Sequence, residues 1–247
     1  MLEKVEGVII RTQDYGETHV IATLFSDRLG KIGVLARGAK KPKSRMSAVT
    51  QLFIHGDYLV RTGKGLSVLE QGDVIQSHRK IREDIFLTAY ASYLAELTNV
   101  LVDEKKPNYY IYQQLLSTLK GITDQKDPIV LSMMYEMKLY KNAGFAPIID
   151  RCQNCQRTDL IHSFSIKEAG VLCKRCLSVD PNHRPINQTQ YKLLRLFSEV
   201  NMERVANINV KNENKLIIRE ILDQYYETYG GLALKTKKFI KQIDLLK

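Results

Sequence analysis

The chain has 247 residues, with 37 Lys and Arg against 27 Asp and Glu, for a formal charge of +10. That length can bury a sizeable core, and the cationic excess favours a polyanionic partner, most often nucleic acid, with an anionic membrane surface as the lesser candidate. No apolar run approaches 18 residues, and Met1-Leu-Glu-Lys-Val-Glu6 lacks the basic-then-apolar order of a signal peptide, so a soluble protein of the reducing cytoplasm without membrane contact is expected.

Residues 1 to about 78 are predicted as strands. Val5–Thr12, His19–Phe25, Lys31–Arg37, Leu52–Arg61 and Leu66–Glu70 are short and rich in β-branched and aromatic residues. Turn signals separate them at Asp14-Tyr-Gly16, Ser26-Asp-Arg-Leu-Gly30, Thr62-Gly-Lys-Gly65 and Gly72-Asp73. Five such strands fit a small closed or nearly closed barrel. The OB-fold is a nucleic-acid-binding example, and an SH3-like barrel fits the strand count equally well.

The third strand runs into Arg37-Gly-Ala-Lys-Lys-Pro-Lys-Ser-Arg45, five cations in nine residues with no acid among them. Like charges at this density repel, which predicts a loop that stays mobile until a polyanion meets it. Lys and Arg neutralise backbone phosphate and release counterions without reading bases. Arg37, Lys40, Lys41, Lys43 and Arg45 are therefore candidate phosphate contacts, extended by Arg28 and Lys31 at the preceding turn. A solubilising surface loop is the competing explanation.

From Ile81 the periodicity becomes helical, through Ile85, Leu87, Tyr90, Leu94, Leu97 and Leu101. Two further helices are predicted from Pro107 to Leu119 and from Pro128 to Lys141, opened by proline and closed near Gly121 and Gly144. Tyr109, Tyr110 and Tyr112 could stack bases, but aromatics on a helix more often pack into a core. Later amphipathic helices are predicted over Gln188–Val200 and Lys215–Tyr229, the first burying Leu193, Leu194, Leu196 and Phe197 and the second Ile217, Ile218, Ile221 and Leu222. Lys235, Lys237, Lys238 and Lys241 form a second basic cluster, most simply a solvated helix face.

All four cysteines fall in one segment, Cys152-Gln-Asn-Cys155 and Cys173-Lys-Arg-Cys176, 17 residues apart. Two Cys-x-x-Cys knuckles at this spacing can bring four thiolates around one zinc ion. Two disulfides, a redox pair or four unrelated thiols are the alternatives; the absence of a spare cysteine and of a secretory signal favours zinc. Four ligands leave no position for an activated water, so the ion is expected to be structural. Arg151, Arg157, Lys174 and Arg175 can offset the charge of the thiolates, and His162 and His183 are not needed as ligands.

Catalysis finds little support. The acidic pairs Glu83-Asp84 and Asp103-Glu104 are candidates for magnesium, but adjacent side chains on a helix diverge. No Gly-x-Ser-x-Gly, His-Glu-x-x-His or Gly-x-x-x-x-Gly-Lys motif is present, and no catalytic residue is expected. A zinc-ribbon RNA-binding or transcription-associated factor is the other reading that composition allows.

Four segments, taken together and in order, resemble the RecO family of bacterial DNA repair proteins. They are the basic barrel loop Arg37–Arg45, the helix end Leu139-Tyr-Lys-Asn-Ala-Gly-Phe-Ala-Pro147, the knuckle Asp150-Arg-Cys-Gln-Asn-Cys155, and Phe164-Ser165 followed by Gly170-Val-Leu-Cys-Lys-Arg-Cys176. The resemblance covers essentially the whole chain. It implies an α+β protein: a five-stranded OB-fold barrel over residues 1–79, then an all-α domain over 80–247 with a four-cysteine zinc finger inserted at 150–178. It also implies a non-enzymatic, nucleoid-associated mediator of recombination. Such a protein binds single- and double-stranded DNA, anneals complementary strands, and works with RecR, RecF and single-stranded-DNA-binding protein to load RecA. Cys152, Cys155, Cys173 and Cys176 take the metal role, and Arg37, Lys40, Lys41, Lys43 and Arg45 the DNA role. Gln156 and Ala169 stand where the family commonly has glycine and could alter the knuckle turns, since a position with positive φ favours glycine, and Thr236 stands where it often has serine.

Overall fold

The computed structural model describes residues 1–205, 208–231 and 233–244. Two compact units divide the chain: Met1–Pro128 together with the segment beginning at Leu234, and Ile129–Ala233.

In the first unit, β1 (Leu2–Tyr15), β2 (His19–Ser26), β3 (Gly30–Ala36), β4 (His55–Arg61) and β5 (Ser67–Gln76) close a barrel in the order β1-β2-β3-β5-β4. β3 and β5 are parallel and the other pairs antiparallel. This is the OB-fold, so pairing order decides what strand count leaves open. β1 closes the barrel by serving two partners, β4 along Leu2–Val8 and β2 along Gly7–Tyr15. Gly7 belongs to both ladders, and a Cβ there would stand 2.6 Å from Leu24 Cδ1, so no larger residue fits without displacing the core.

Val5, Ile9, Ala22, Leu24, Val34, Ala36, Val60 and Leu69 fill the interior. Tyr58 joins them fully buried, its hydroxyl reaching the carbonyls of Val49 at 3.0 Å and Ile54 at 3.2 Å. Burial disfavours the phenolate and pushes this hydroxyl's pKa up. Val49 belongs to α1 (Arg45–Val49), a short helix not predicted from the sequence.

The helical stretch from residue 79 is broken once. Asp84 separates α2 (Arg79–Glu83) from α3 (Ile85–Leu101), leaving the helix at φ −120° and accepting hydrogen bonds from Phe86 N at 2.8 Å and Leu87 N at 3.0 Å. A carboxylate in this position satisfies two of the donors that open α3. Asn108 caps α4 (Tyr109–Thr123) in the same way, from Ile111 N at 3.0 Å. Tyr112 is buried and donates to Glu6 at 3.1 Å, whereas Tyr109 and Tyr110 are exposed.

In the second unit, α5 (Pro128–Asn142) is buried from Val130 to Tyr140, two charged residues included. Glu136 receives both terminal nitrogens of Arg219, at 2.5 and 2.6 Å, and the Tyr140 hydroxyl at 3.2 Å. A three-stranded sheet follows, β6 (Ile161–Ser165), β7 (Gly170–Cys173) and β8 (Arg184–Pro185), ordered β7-β6-β8. Then come α6 (Gln188–Glu199), opened by a reciprocal cap between Asn187 and Gln190, and α7 (Asn212–Tyr229). Lys138 donates to the carbonyls of Phe197 and Ser198 at the end of α6, at 2.9 and 2.6 Å. Burial brings its ammonium down to about 8.

The chain then returns to the first unit as α8 (Lys235–Asp244), which packs against α3. Glu96 of α3 accepts from Lys235 N at 3.1 Å and from Thr236 N at 2.9 Å, placing a carboxylate at the positive end of α8. The side chain of Lys241 lies outside the described residues. No described helix is long and apolar enough to cross a membrane.

Candidate metal centre and nucleic-acid interface

The sulfur atoms of Cys152, Cys155, Cys173 and Cys176 all lie within 4.8 Å of one another. Backbone bonds shape the first knuckle: Gln156 N donates to Cys152 O at 2.9 Å and Cys152 N to Arg157 O at 2.7 Å. The second knuckle enters from β7 and turns into a short 3-10 helix at Lys174–Val179, with Gln153 N donating to Val171 O at 2.8 Å to hold the two knuckles together.

The thiols experience opposing influences. Desolvation raises Cys152, but hydrogen bonds from the backbone of Cys155, Cys173 and Asn154 outweigh it and bring this thiol down to about 7. At Cys176 the Asn154 side chain, donating at 3.3 Å, favours the thiolate, yet burial and the neighbouring sulfurs push it up to about 12. Four sulfurs this close cannot all ionise without a cation among them, and the cluster can hold a metal ion. Of the basic neighbours, Arg157 is held charged first by Asp159 at 2.9 Å and also by Cys155 and Cys173, while Arg151 is tied to Asp150 at 3.0 Å.

The predicted basic loop is anchored at its base rather than free. Ala39 is buried in the barrel core. Lys40 N donates to Thr18 O at 2.9 Å, Gly38 N to His19 Nδ1 at 2.9 Å, and the Lys40 ammonium meets Asp14 at 2.5 Å. Three bonds to the β1–β2 hairpin thus offset the loop's self-repulsion. Arg37, Lys41, Lys43 and Arg45 remain exposed, and none makes an ion pair among the described residues.

Two residues expected beside them stand apart. Arg28 lies at the opposite end of β3, roughly 20 Å from Arg37 at the usual strand rise, and donates to Lys4 O at 2.8 Å. Lys31 is only 6% exposed, with its ammonium on the Asn99 carbonyl at 2.5 Å. Burial lowers its pKa against the raising influence of Glu104 and Asp103. It ties the barrel to α3 and is not part of the exposed set.

The acidic pairs are likewise committed. Glu83 pairs with Arg79 at 2.6 Å, Asp84 caps α3, and Asp103 pairs with Lys106 at 2.9 Å. What sequence reasoning missed is a row of outward-facing aliphatic residues on β2, β3 and β5. The available signal was that Ile21 and Leu35 stand between core residues of β2 and β3, where alternation calls for polar side chains.

Comparison with known proteins agrees with this architecture. A family model described as "Recombination protein O N terminal" matches residues 1–78, and one described as "Recombination protein O C terminal" matches residues 82–238. The chain is 50% identical over 244 residues to a DNA repair protein RecO from Oceanobacillus iheyensis, covering 99% of this chain and 95% of the relative. It is 47% identical to a protein of the same name from Bacillus cytotoxicus and 46% to one from Bacillus mycoides, in each case over 245 residues, 99% of this chain and 98% of the relative. Both halves of the sequence thus match in order and nearly end to end, and the chain belongs to the RecO family.

Proposed function

We propose that the chain is a non-enzymatic DNA-binding mediator of recombination in bacterial DNA repair. It binds single- and double-stranded DNA, anneals complementary strands, and helps load the RecA recombinase onto DNA coated with single-stranded-DNA-binding protein, acting with RecR and RecF in the cytoplasm. The observation that carries this reading is the anchored loop, which presents Arg37, Lys41, Lys43 and Arg45 without acidic partners among the described residues on an OB-fold barrel. Four unneutralised cations on a fixed base suit phosphate contact. Lys40 steadies the loop through Asp14, and Arg28, exposed at the far turn, lengthens the path of a bound strand. Annealing then requires no catalytic group. Neutralising two strands on one surface lowers their repulsion and raises their local concentration.

The four cysteines fit a structural zinc ion. A tetrahedron with Zn–S bonds of about 2.3 Å has sulfur separations of about 3.8 Å, and Cys155 and Cys173 are 3.7 Å apart. Bound there, zinc would supply charge for four thiolates, and these residues would hold the two knuckles in register.

Annealing of complementary oligonucleotides, followed by fluorescence at low and high salt, tests the reading. The wild type should anneal, and less so as salt rises. Each cation removed from a single-strand contact lowers the log–log salt slope of binding by about 0.7, so neutralising Arg37, Lys41, Lys43 and Arg45 should lower it by about 3. A wild type that anneals at no salt concentration, or a slope near zero, refutes the proposal.

A further inference from the structure

Phosphate contact leaves two exposed aromatic residues without a task. Tyr109 and Tyr110 open α4, 62% and 47% exposed, and their mount is fixed. The ring centroid of Tyr109 lies 6.4 Å from that of buried Tyr112, which meets Phe25 of β2 edge-on at 5.8 Å. The segment leading into α4 is locked to the β2–β3 turn. Lys105 N donates to Lys31 O at 2.9 Å, and a Cβ on Gly30 would stand 2.4 Å from Lys106 O. Lys105 holds φ at +56°, a conformation that persists in a non-glycine residue only where its surroundings enforce it.

A helix turns by about 100° per residue, so the two neighbouring rings face apart and each can take one planar partner. Between residues 103 and 110 the other exposed side chains are Asp103, Glu104, Lys105, Lys106 and Pro107. A protein partner would require a contiguous apolar patch, whereas separate rings in a polar setting suit nucleobases, each of which brings its own π-face. Charge is sparse here. Lys106 is paired with Asp103 at 2.9 Å, and Lys105, which makes no ion pair among the described residues, stands next to Glu104. Binding at this place therefore rests on stacking, with one phosphate contact at most.

We infer that Tyr109 and Tyr110 stack the bases of a second single strand, held on α4 while the basic loop holds the first. The inference rests on the DNA-binding reading above and supplies what annealing needs, two strands on one chain at once. Arg28, which extends the path of the first strand, lies in the β2–β3 turn to which the tyrosines' mount is locked, so the splayed bases of the second strand stand beside the first. The two contacts differ in kind. Cations hold the strand on the loop and ring faces hold the strand on α4, so salt should release the first and spare the second.

The test counts the oligo(dT) strands, about ten nucleotides long, that the full chain binds at low and at high salt, by anisotropy titration at stoichiometric concentration. The wild type should bind two strands at low salt and one at high salt. Tyr109→Ser/Tyr110→Ser should bind one at low salt and none at high salt, its hold on the second strand weakened by roughly tenfold or more. Neutralising Arg37, Lys41, Lys43 and Arg45 should leave one strand, bound with a log–log salt slope of about 0.7 or less. A wild type that binds one strand at low salt, or a serine variant that still binds two, refutes the second site while the basic loop stands. If the wild type binds none, or the neutralised loop releases no strand, the parent reading fails as well. A second variant guards against misfolding of the first. The chain has no Trp, so Tyr109→Trp sets a single indole at the stacking position. Oligo(dT) at high salt should quench its emission, and an unquenched indole overturns the inference.

Discussion

Ala169 holds φ at +54° and Gln156 at +63°, in the region where a Cβ costs about 1–2 kcal/mol. Both stand where the family commonly has glycine and were expected to alter the turns, yet each residue adopts a positive φ. At Ala169 the side chain offers no visible compensation. Its N–H donates to Ile166 O and its carbonyl accepts from Ile148 N, both at 3.0 Å, and glycine would keep these bonds. Ala169→Gly should therefore stabilise the chain by about 1 kcal/mol, a rise of about 2–4 °C in thermal melting for a protein of this size. An unchanged or lower midpoint would show that the turn is not strained. Gln156 differs because its side chain accepts from Arg151 at 2.6 Å and donates to Gln153 O at 2.9 Å. Lys31 shows the limit of reading single residues. Nothing in its neighbourhood in sequence reveals that Asn99, 68 residues away, takes its ammonium.

Among the elements, the cysteine module is the most legible, because metal-ligand spacing is a local constraint. Its three-stranded sheet was not foreseen, since β6 and β7 have five and four residues and β8 only two, too few to establish a period. A strong chelator should remove one zinc per chain and lower the melting temperature, and added zinc should restore it. Below the lowered midpoint, DNA affinity should survive chelation, because the proposed contacts belong to the barrel. Loss of affinity by a folded, metal-free chain would place the module in the DNA path. The barrel strands were found through their turns except at Gly72-Asp73, which was expected to be a turn but lies within β5 and pairs with β4, and β1 extends to Leu2–Tyr15 where Val5–Thr12 was predicted. Its exposed far end lacks the apolar pattern that marks a strand and is held instead by pairing with β2. The outward aliphatic row Ile21–Leu35–Val68 escaped notice for the opposite reason. Where Ile21 and Leu35 interrupt the alternation of β2 and β3, sequence alone does not tell core from surface, and only closure of the barrel sorts them.

At the scale of the whole molecule, composition, strand count and helical periodicity were enough for an α+β reading. They could not specify that β3 pairs with β5 or that the last helix belongs with the first 128 residues, because both are contacts between distant segments. α8 reaches its unit through Glu96, which takes the N–H groups of Lys235 and Thr236. Removing the chain from Leu234 onward should therefore lower the melting temperature of the barrel unit by several degrees, although no residue of the barrel itself is touched. Thermal unfolding followed by circular dichroism would report this, and an unchanged midpoint would show that α8 contributes no stability there.

The discontinuity of that unit also bears on how the protein is made. A ribosome delivers the barrel first and α8 last, with the whole of residues 129–233 in between. The second unit is one contiguous piece of chain. The first must wait with one side of α3 uncovered until residues 129–233 have been made and α8 follows. Until α8 arrives, the side of α3 that it covers is open to solvent.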